Sequence, residues 1–521
     1  MNESGTTEET LPEKSEKKSQ KILSEDDTLN SKYSKGNITF LGAFLQIGNT
    51  ILGAGIISLP VVFRYLGFIL GFIFITVIAI LTIYSSYLLL KAHQITNKKK
   101  YLTIAHSSMG DKGYIFTNIM IILNNFGLCC VYFRIVADTI QNIIGGYFSK
   151  VNFFVTNWHN FLFIIIILFS MSFVIWTQDF KKFEKTSFLG MTGIIIYFII
   201  LIILFFYKIS KGFIPYHSLD SYFINGDFTN ILISLPSVFL SFSFQFNLFP
   251  IYSGLINRTH YEMLRVTKFS IIFCFILYIF SGIIGFLMYG YNLNDTILSA
   301  FLLDIQNEED NIIKCLLIIA NIGFLVCSTT SIPLVFYTLK QNFFSTYKFI
   351  IRKKNKKIEM EIEDNDINSI NNNNSINDNN SNDTNNENDT NSDDNNIIIT
   401  NNNITVESER NDSLDNIDDN KKIKINISKK EEIIISLLLY LIIGCVTILV
   451  PKLKSMFNIV GCTAANSIQF IIPCLMIIFL KEKSEKLINL LFVKILFGFG
   501  VLSLIICFIA EILHAFISSD N

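Results

Sequence analysis

The fold of this chain is decided by one interrupted apolar stretch, Gly48-Asn49-Thr50-Ile51-Leu52-Gly53-Ala54-Gly55-Ile56-Ile57-Ser58-Leu59-Pro60. Glycine weakens a helix and lets its backbone open, while a segment in hydrocarbon must satisfy its backbone polar groups internally. The stretch therefore predicts a helix that is discontinuous near the middle of a membrane. The second half of such a helix begins with free N–H groups and a positive dipole end, which suit a carboxylate. The alternative is that these small residues only let neighbouring helices pack closely.

The composition of the whole chain is that of a membrane protein. Of its 521 residues, 51% are hydrophobic and only 16% are charged, whereas a soluble domain carries about 25% charged residues. Apolar windows of roughly 20 residues, the length that crosses a bilayer as a helix, predict an all-α polytopic membrane protein with about eleven transmembrane helices. The predicted spans are 39–60, 66–90, 114–140, 159–178, 187–207, 229–253, 269–289, 313–338, 433–450, 457–480 and 488–514.

Basic residues predict the orientation of these spans. With the N-terminus in the cytoplasm, the inner connections hold about four times as many Lys and Arg residues as the outer ones, as the positive-inside rule requires. The C-terminus is then extracellular or luminal. The overall net charge of −1 argues against a nucleic-acid partner.

Two polar regions divide the chain. Residues 1–36 are predicted to be a disordered cytoplasmic tail rather than a cleaved signal peptide. Spans one to eight occupy 37–345, and spans nine to eleven occupy 431–515. Residues 346–430 between them are predicted to be a disordered Asn-rich cytoplasmic loop, because Asn makes up about half of the residues from 365 to 403. This loop is either an insertion without chemistry or a regulatory segment.

A second interruption occurs in span six, from Ser241 to Tyr252. Pro250 removes a backbone donor, and polar side chains alternate with apolar ones instead of following one helical face. Breaks in both span one and span six are typical of a 5 + 5 inverted-repeat transporter, whose binding site lies at the repeat interface. One further helix completes the eleven spans.

Span eight carries four consecutive hydroxyl residues, Ser328 to Ser331, shortly before Pro333. Hydroxyl and carbonyl oxygens are hard ligands that suit Na⁺, and Asn49 of span one offers a further amide oxygen. The alternative is that these hydroxyls bond to their own helix backbone around the proline.

Other candidate chemistry is sparse. Arg134 and Asp138 are four residues apart on span three, which predicts either a structural ion pair or a gate. The sequence contains no hydrolase triad, HExxH motif or P-loop, and neither the histidines nor the nine cysteines have metal-ligand spacing. We therefore expect a protein that is not an enzyme and that has no cofactor beyond a coupling ion.

The first-span motif, followed by Gly67, resembles the first-helix signature of the amino acid/auxin permease family. The resemblance is strongest to sodium-coupled neutral amino acid transporters and their vacuolar relatives. It also includes Pro250-Ile251-Tyr252 in span six and Ser331-Ile332-Pro333 in span eight.

The resemblance implies a leucine-transporter-like fold and a set of site residues. It implies that Asn49 binds the ion, that Gly53 to Ile56 meet the substrate carboxylate, and that Thr329 or Ser331 supplies a hydroxyl ligand. The chain departs from many relatives where Gln245 replaces a His, which puts proton sensing by that His in doubt. The full set of predicted substrate-binding residues is Asn49, Thr50, Gly53, Ala54, Gly55, Ile56, Ser241, Phe242 and Gln245.

Together these observations predict a secondary active transporter of amino acids, with neutral ones expected, coupled to Na⁺ or H⁺. An amino acid sensor with little flux is the alternative, and a channel is disfavoured because no charge ring or carbonyl filter motif is present. The expected partners are a small-molecule amino acid and the lipid bilayer, without an obligate protein partner. The membrane is either the plasma membrane or a vacuolar one.

Overall fold

The computed structural model describes residues 36–147, 182–212, 228–290, 293, 296–307, 310–377, 429–450, 453–480 and 489–519. These residues form helices and connections, with one isolated bridge between Ile38 and Leu255. The helices are α1 (Phe40–Gly55), α2 (Leu59–Thr96), α3 (Tyr101–Tyr147), α4 (Lys182–Ser210), α5 (Phe228–Ser241), α6 (Gln245–Gly254), α7 (His260–Tyr289), α8 (Ile297–Asn307), α9 (Asn311–Asn377), α10 (Lys429–Leu449), α11 (Leu453–Val460), α12 (Ile472–Phe479) and α13 (Leu490–Ser519).

Ten of the eleven predicted crossings lie in the described ranges. Nine are helices long and apolar enough to span a bilayer, and the short apolar helix α1 begins the first crossing. The predicted fourth span, 159–178, lies outside the described residues. Large apolar side chains such as Phe72, Ile199 and Phe280 are exposed on the outside of the bundle, where lipid would cover them.

The first crossing is broken at residues 56–58, directly after Gly53-Ala54-Gly55. Helix α2 has 38 residues, so it would be about 57 Å long against an apolar bilayer thickness of about 30 Å. It bends at Gly67, whose φ of 77° is in the left-handed region that favours glycine. Residues 59–66 therefore complete the first crossing, and the second begins at Gly67. The expected end of span one at residue 60 is six residues too early, and Gly48-Asn49-Thr50 is helical.

The sixth crossing is broken at residues 242–244, between α5 and α6. Pro250 lies inside α6 instead of at the break, and Pro236 lies inside α5. The interruption is thus where the polar residues begin to alternate, and the proline is accommodated within a helix.

The two broken crossings lie at the centre of the bundle. Helix α1 packs against α4 and α7, and α5 packs against α2. Helix α9 packs against α3 and α4. Gly193 of α4 and Gly323 of α9 let two backbones approach closely, since a Cβ atom on Gly193 would lie 2.4 Å from the carbonyl oxygen of Gly323. Close packing fixes the positions of the polar residues described below.

Three features were not predicted. The tenth crossing contains two π-helical turns, Gly461–Ala465 and Ser467–Ile471. The short helix α8 lies between crossings seven and eight. Helix α9 continues to Asn377, into the range predicted to be a disordered loop from 346. Residues 378–428 and 1–35 are outside the described ranges, so their disorder stays a prediction.

A polar cluster joins the C-terminal ends of crossings five and seven to the N-terminal end of crossing eight. Lys208 forms an ion pair with Asp304 of α8, which also accepts a hydrogen bond from the Tyr289 hydroxyl at 2.8 Å. Asp310, just before α9, accepts hydrogen bonds from the Ile312 amide at 2.9 Å and the Tyr207 hydroxyl at 2.8 Å. These bonds, led by that of the Ile312 amide, lower the pKa of the Asp310 carboxyl below its usual value.

Candidate substrate and ion site at the helix breaks

The two breaks lie against each other in the structure. A Cβ atom on Gly55, the last residue of α1, would lie 2.7 Å from the Cβ atom of Ser241, the last residue of α5. The Tyr278 hydroxyl of α7 lies between them, 2.6 Å from the carbonyl oxygen of Ile51 and 2.9 Å from that of Ser241. The polar ends of two half-helices therefore meet at one buried point.

Side chains near the breaks take over backbone hydrogen bonds that the interrupted helices give up. Ser58 donates from both its amide, at 3.1 Å, and its hydroxyl, at 2.9 Å, to the carbonyl oxygen of Gly55. The Oε1 atom of Gln245 accepts from the Phe244 amide at 3.0 Å. The Gly55 carbonyl and the Phe244 amide are thus bonded by side chains, which can rearrange more easily than the backbone hydrogen bonds of an intact helix.

Gln245 is fully buried, and its Nε2 atom has no hydrogen-bond partner among the described residues. A buried amide group that is left unpaired costs free energy. Oε1 is used by the Phe244 amide, so the NH2 group of Gln245 is the part of this side chain that is left to donate.

A chain of polar side chains links the breaks to neighbouring crossings. Thr338 of α9 donates to the Oδ1 atom of Asn247 at 2.7 Å, and the Nδ2 atom of Asn247 lies 3.4 Å from the Thr50 hydroxyl. The Ser243 hydroxyl lies 3.4 Å from Oδ1 of Asn124 on α3. Crossings one, three, six and eight are therefore connected at the level of the breaks.

Asn49 lies beside α4 and α9. Its Oδ1 atom is 3.6 Å from the Sγ atom of Cys327. A Cβ atom on Gly190 of α4 would lie 2.4 Å from this Oδ1 atom and 2.3 Å from the Thr330 hydroxyl. The amide oxygen of Asn49 and the hydroxyl of Thr330 therefore both lie against the same glycine, whose missing side chain lets three crossings bring these two oxygens close together.

The span-eight hydroxyl that lies with Asn49 against Gly190 is thus that of Thr330. Cys327, Thr330 and Ser331 share one helical face because they are three and four residues apart. The hydroxyls of Thr330 and Ser331 both donate to the Cys327 carbonyl, each at 2.9 Å, so each has only its lone pairs to offer a cation. Thr329 is two residues from Cys327, so it points elsewhere, and its hydroxyl bonds to the Val326 carbonyl at 3.0 Å.

The remaining predicted substrate residues lie around the breaks. Gly53 contacts Tyr132 of α3, whose hydroxyl would be 2.0 Å from a Cβ atom at position 53. Ala54 is in the last turn of α1, and Ile56 is fully buried in the break. The Phe242 ring is buried against the Tyr278 ring, with centroids 5.2 Å apart. The structure thus brings together the predicted residues of spans one and six, and adds Tyr132, Gly190 and Tyr278.

Arg134 and Asp138 form an ion pair on α3, with the Arg134 Nε atom 3.0 Å from the carboxylate. Both side chains are partly buried. Arg134 is two residues from Tyr132, so the pair lies near the site. Its function as a gate stays a prediction.

Backbone hydrogen bonds join the two broken crossings at one end. The Ile38 amide donates to the Gly254 carbonyl at 2.9 Å, and the Ile256 amide donates to the Ile38 carbonyl at 3.0 Å. These bonds hold the start of crossing one against the end of α6. Beyond the first break, a small cleft lies between the two crossings and is lined by Ser58, Val61, Val62, Tyr65, Ile233, Ser234, Ser237 and Phe457.

A helical membrane bundle in which two interrupted crossings meet at a buried polar centre is the architecture of a secondary transporter. Comparison with known proteins identifies the family. The chain belongs to the family described as "Transmembrane amino acid transporter protein", whose model matches residues 36–513. The resemblance found in the sequence is thereby confirmed.

Several transporters are similar to this chain in sequence. Amino acid transporter AVT6E of Arabidopsis thaliana is 23% identical over 60% of this chain and 64% of its own length. Sodium-coupled neutral amino acid transporter 7 of Danio rerio is 21% identical over 58% of this chain and 64% of its own length. Vacuolar amino acid transporter 2 of Saccharomyces cerevisiae is 25% identical over 53% of this chain and 57% of its own length. The matches thus span under two thirds of these three proteins, and the transporter names agree with the expectation that this chain is not an enzyme.

A solved structure supports the fold. The crystal structure of MhsT in complex with L-phenylalanine matches 90% of this chain and 98% of its own, with a TM-score of 0.56 and 10% identity. At this identity the likeness concerns the fold alone. The predicted leucine-transporter-like, all-α architecture is confirmed.

Proposed function

We propose that this protein is a secondary active transporter that moves amino acids across a membrane by alternating access. The observation that carries the proposal is the meeting of the two helix breaks at Gly55 and Ser241. Helices α1 and α5 both end there, so their carbonyl oxygens and negative dipole ends converge. Residues 59–66 and α6 both begin there and offer positive ends. A zwitterion complements this arrangement, since its ammonium suits the first pair and its carboxylate the second.

Neutral amino acids fit the site best. The side chains that surround the breaks, namely Ile56, Tyr132, Phe242, Gln245 and Tyr278, carry no charge. They would pack against an apolar substrate side chain, whereas a cationic or anionic one would be buried without a partner, at a high cost in free energy. This choice is consistent with the name of one relative, sodium-coupled neutral amino acid transporter 7 of Danio rerio.

A cation gradient would drive the transport. The Asn49 amide oxygen and the Thr330 hydroxyl are hard donors that both lie beside Gly190, and Na⁺ prefers such oxygens. Na⁺ is therefore our preferred ion, with H⁺ as the alternative. The N-terminus would be cytoplasmic, and the membrane would be either the plasma membrane or that of a vacuole.

Purified protein in proteoliposomes tests the proposal. An imposed Na⁺ or H⁺ gradient should drive uptake of a labelled neutral amino acid, and the gradient that works identifies the ion. A tritium-labelled amino acid that accumulates only with the gradient would support transport. Absence of gradient-driven uptake for all amino acids would refute it, and binding of normal affinity without flux would favour the sensor.

A further inference from the structure

The Tyr278 hydroxyl stands between two carbonyl oxygens but can donate to only one of them at a time. Its oxygen is 2.6 Å from the Ile51 oxygen and 2.9 Å from the Ser241 oxygen. A phenol has a single proton, so one of the two carbonyls faces the lone pairs of the Tyr278 oxygen. Ser241 also closes α5, and the last carbonyls of a helix have no partner within it. The single proton of the Tyr278 hydroxyl therefore serves only one of these two carbonyl oxygens.

Packing holds the Tyr278 side chain in one position, so its hydroxyl has little room to point elsewhere. Its side chain is fully buried, and its ring packs edge-to-face on Phe242. Its hydroxyl fills the space over Gly55, where an added Cβ atom would lie 2.2 Å from the phenol oxygen. The hydroxyl thus occupies the position at which α1 and α5 direct their carbonyl ends.

We propose that the Tyr278 hydroxyl holds this position in place of the substrate's ammonium group and is displaced from the Ile51 and Ser241 carbonyls when an amino acid binds. This inference rests on the proposed function. An ammonium group carries three protons and a positive charge, so it satisfies both carbonyls, which one phenol cannot do. Tyr278 is accordingly a positioning residue: it keeps the two broken helices joined while the site is empty, and it selects ligands that carry an ammonium group.

Replacement of Tyr278 by Phe keeps the ring and removes the competing hydroxyl. Because a hydrogen bond of ordinary strength no longer has to be broken, Tyr278→Phe should bind a neutral amino acid about three- to tenfold more tightly than wild type. The substrate-free variant should be less thermostable, because the carbonyl that accepts from the Tyr278 hydroxyl loses its donor. At a saturating amino acid concentration its stability should approach that of wild type. If Tyr278 only stabilised the fold, Tyr278→Phe would lower the thermostability of the substrate-free and the substrate-saturated protein equally and would leave the dissociation constant unchanged.

Tyr197→Phe is the matched control. Tyr197 is also fully buried and packs on Phe301 and Phe324, away from the breaks. Loss of the Tyr197 hydroxyl should change the melting temperature of the substrate-free and the substrate-bound protein by the same amount. A 2-hydroxy acid analogue, in which a hydroxyl replaces the ammonium, should bind weakly to every variant and should gain no affinity from Tyr278→Phe.

Binding is measured by isothermal titration calorimetry in detergent, with thermal unfolding in parallel. If Tyr278→Phe does not fold, 3-fluorotyrosine at position 278 keeps the shape and strengthens the donor, so amino acid affinity should fall. Wild-type protein that binds no amino acid would overturn both this inference and the proposed function. Wild-type binding, with equal or weaker affinity in Tyr278→Phe, would overturn this inference alone.

Discussion

Gly190→Ala is the substitution that tests the ion site most directly. Gly190 belongs to α4 and lies between crossings one and eight. An added methyl group at this position would be 2.3 Å from the Thr330 hydroxyl and 2.4 Å from Oδ1 of Asn49, whereas ordinary contacts begin at 3.4 Å. Because the methyl group clashes with both proposed ligands at once, this one small change must displace both oxygens.

The size of the effect follows from these distances. Each oxygen must retreat by roughly one ångström, while ion–ligand distances are held to within about 0.2 Å. We therefore expect the affinity for the coupling ion to fall about 10- to 100-fold, equivalent to about 1.4 to 2.8 kcal/mol. Both clashing atoms belong to side chains that can rotate, so the cost in folding stability should stay at about 1 to 3 kcal/mol.

The assay is the initial rate of labelled amino acid uptake into proteoliposomes as a function of external ion concentration. Gly190→Ala should require a much higher ion concentration for half-maximal uptake. Thr330→Ala should act in the same direction, whereas Thr329→Ala should have little effect, since the Thr330 hydroxyl is among the atoms nearest to Gly190 and the Thr329 hydroxyl is not. Wild-type ion dependence in folded Gly190→Ala would refute the assignment of Asn49 and Thr330 as ligands.

Three further predictions address other parts of the structure. Gly55→Ala should reduce uptake about 5- to 150-fold, because overpacking of about 1 to 3 kcal/mol falls at the helix breaks; Gly498→Ala, which meets nothing within 4 Å, should transport normally. Thr338→Val should remove the bond to Asn247 and lower the melting temperature, consistent with loss of a hydrogen bond worth about 1 kcal/mol, as differential scanning fluorimetry would show. Asp310→Asn should lower stability above about pH 4, and the difference from wild type should disappear as the pH falls through the lowered pKa of Asp310, because this carboxyl stabilises the fold only while it is ionised; a difference in melting temperature that does not shrink over this pH range would contradict this.

Hydropathy was sufficient to predict the ten crossings that lie in the described ranges, because bilayer thickness sets the length of each helix. The breaks were predicted to within a few residues, since glycine clusters and alternating polar residues mark backbone that a helix does not satisfy. Prolines were less informative. Pro250 lies within α6, because neighbouring helices in a membrane can satisfy the backbone groups that a proline frees.

The helical phase of span eight was beyond sequence reasoning. With four consecutive hydroxyl residues, a shift of one position turns a side chain by about 100° around the helix. Thr329 and Thr330 are therefore equivalent in composition but face different neighbours. Only the packing of α9 against α4, set by the close approach of Gly193 and Gly323, brings Thr330 towards Asn49.

Gly190 and Tyr278 were also missed, since each lies in an apolar run where a glycine or an aromatic residue is ordinary. Tyr278 did offer one signal. A buried tyrosine hydroxyl needs a hydrogen-bond partner, and span seven has phenylalanine at most of its other aromatic positions. A lone tyrosine hydroxyl deep in such a span indicates an acceptor on a neighbouring crossing, which here is the broken end of α1 or α5.

The helix breaks explain how one structure can both bind a ligand and move. At an intact helix a change of direction would break several backbone hydrogen bonds, but at these breaks the backbone groups are held by side chains of Ser58, Gln245 and Tyr278. Such side chains can exchange partners with a ligand at little cost. In the proposed alternating access, the half-helices would therefore pivot where the substrate binds, so that binding energy acts directly on the hinge.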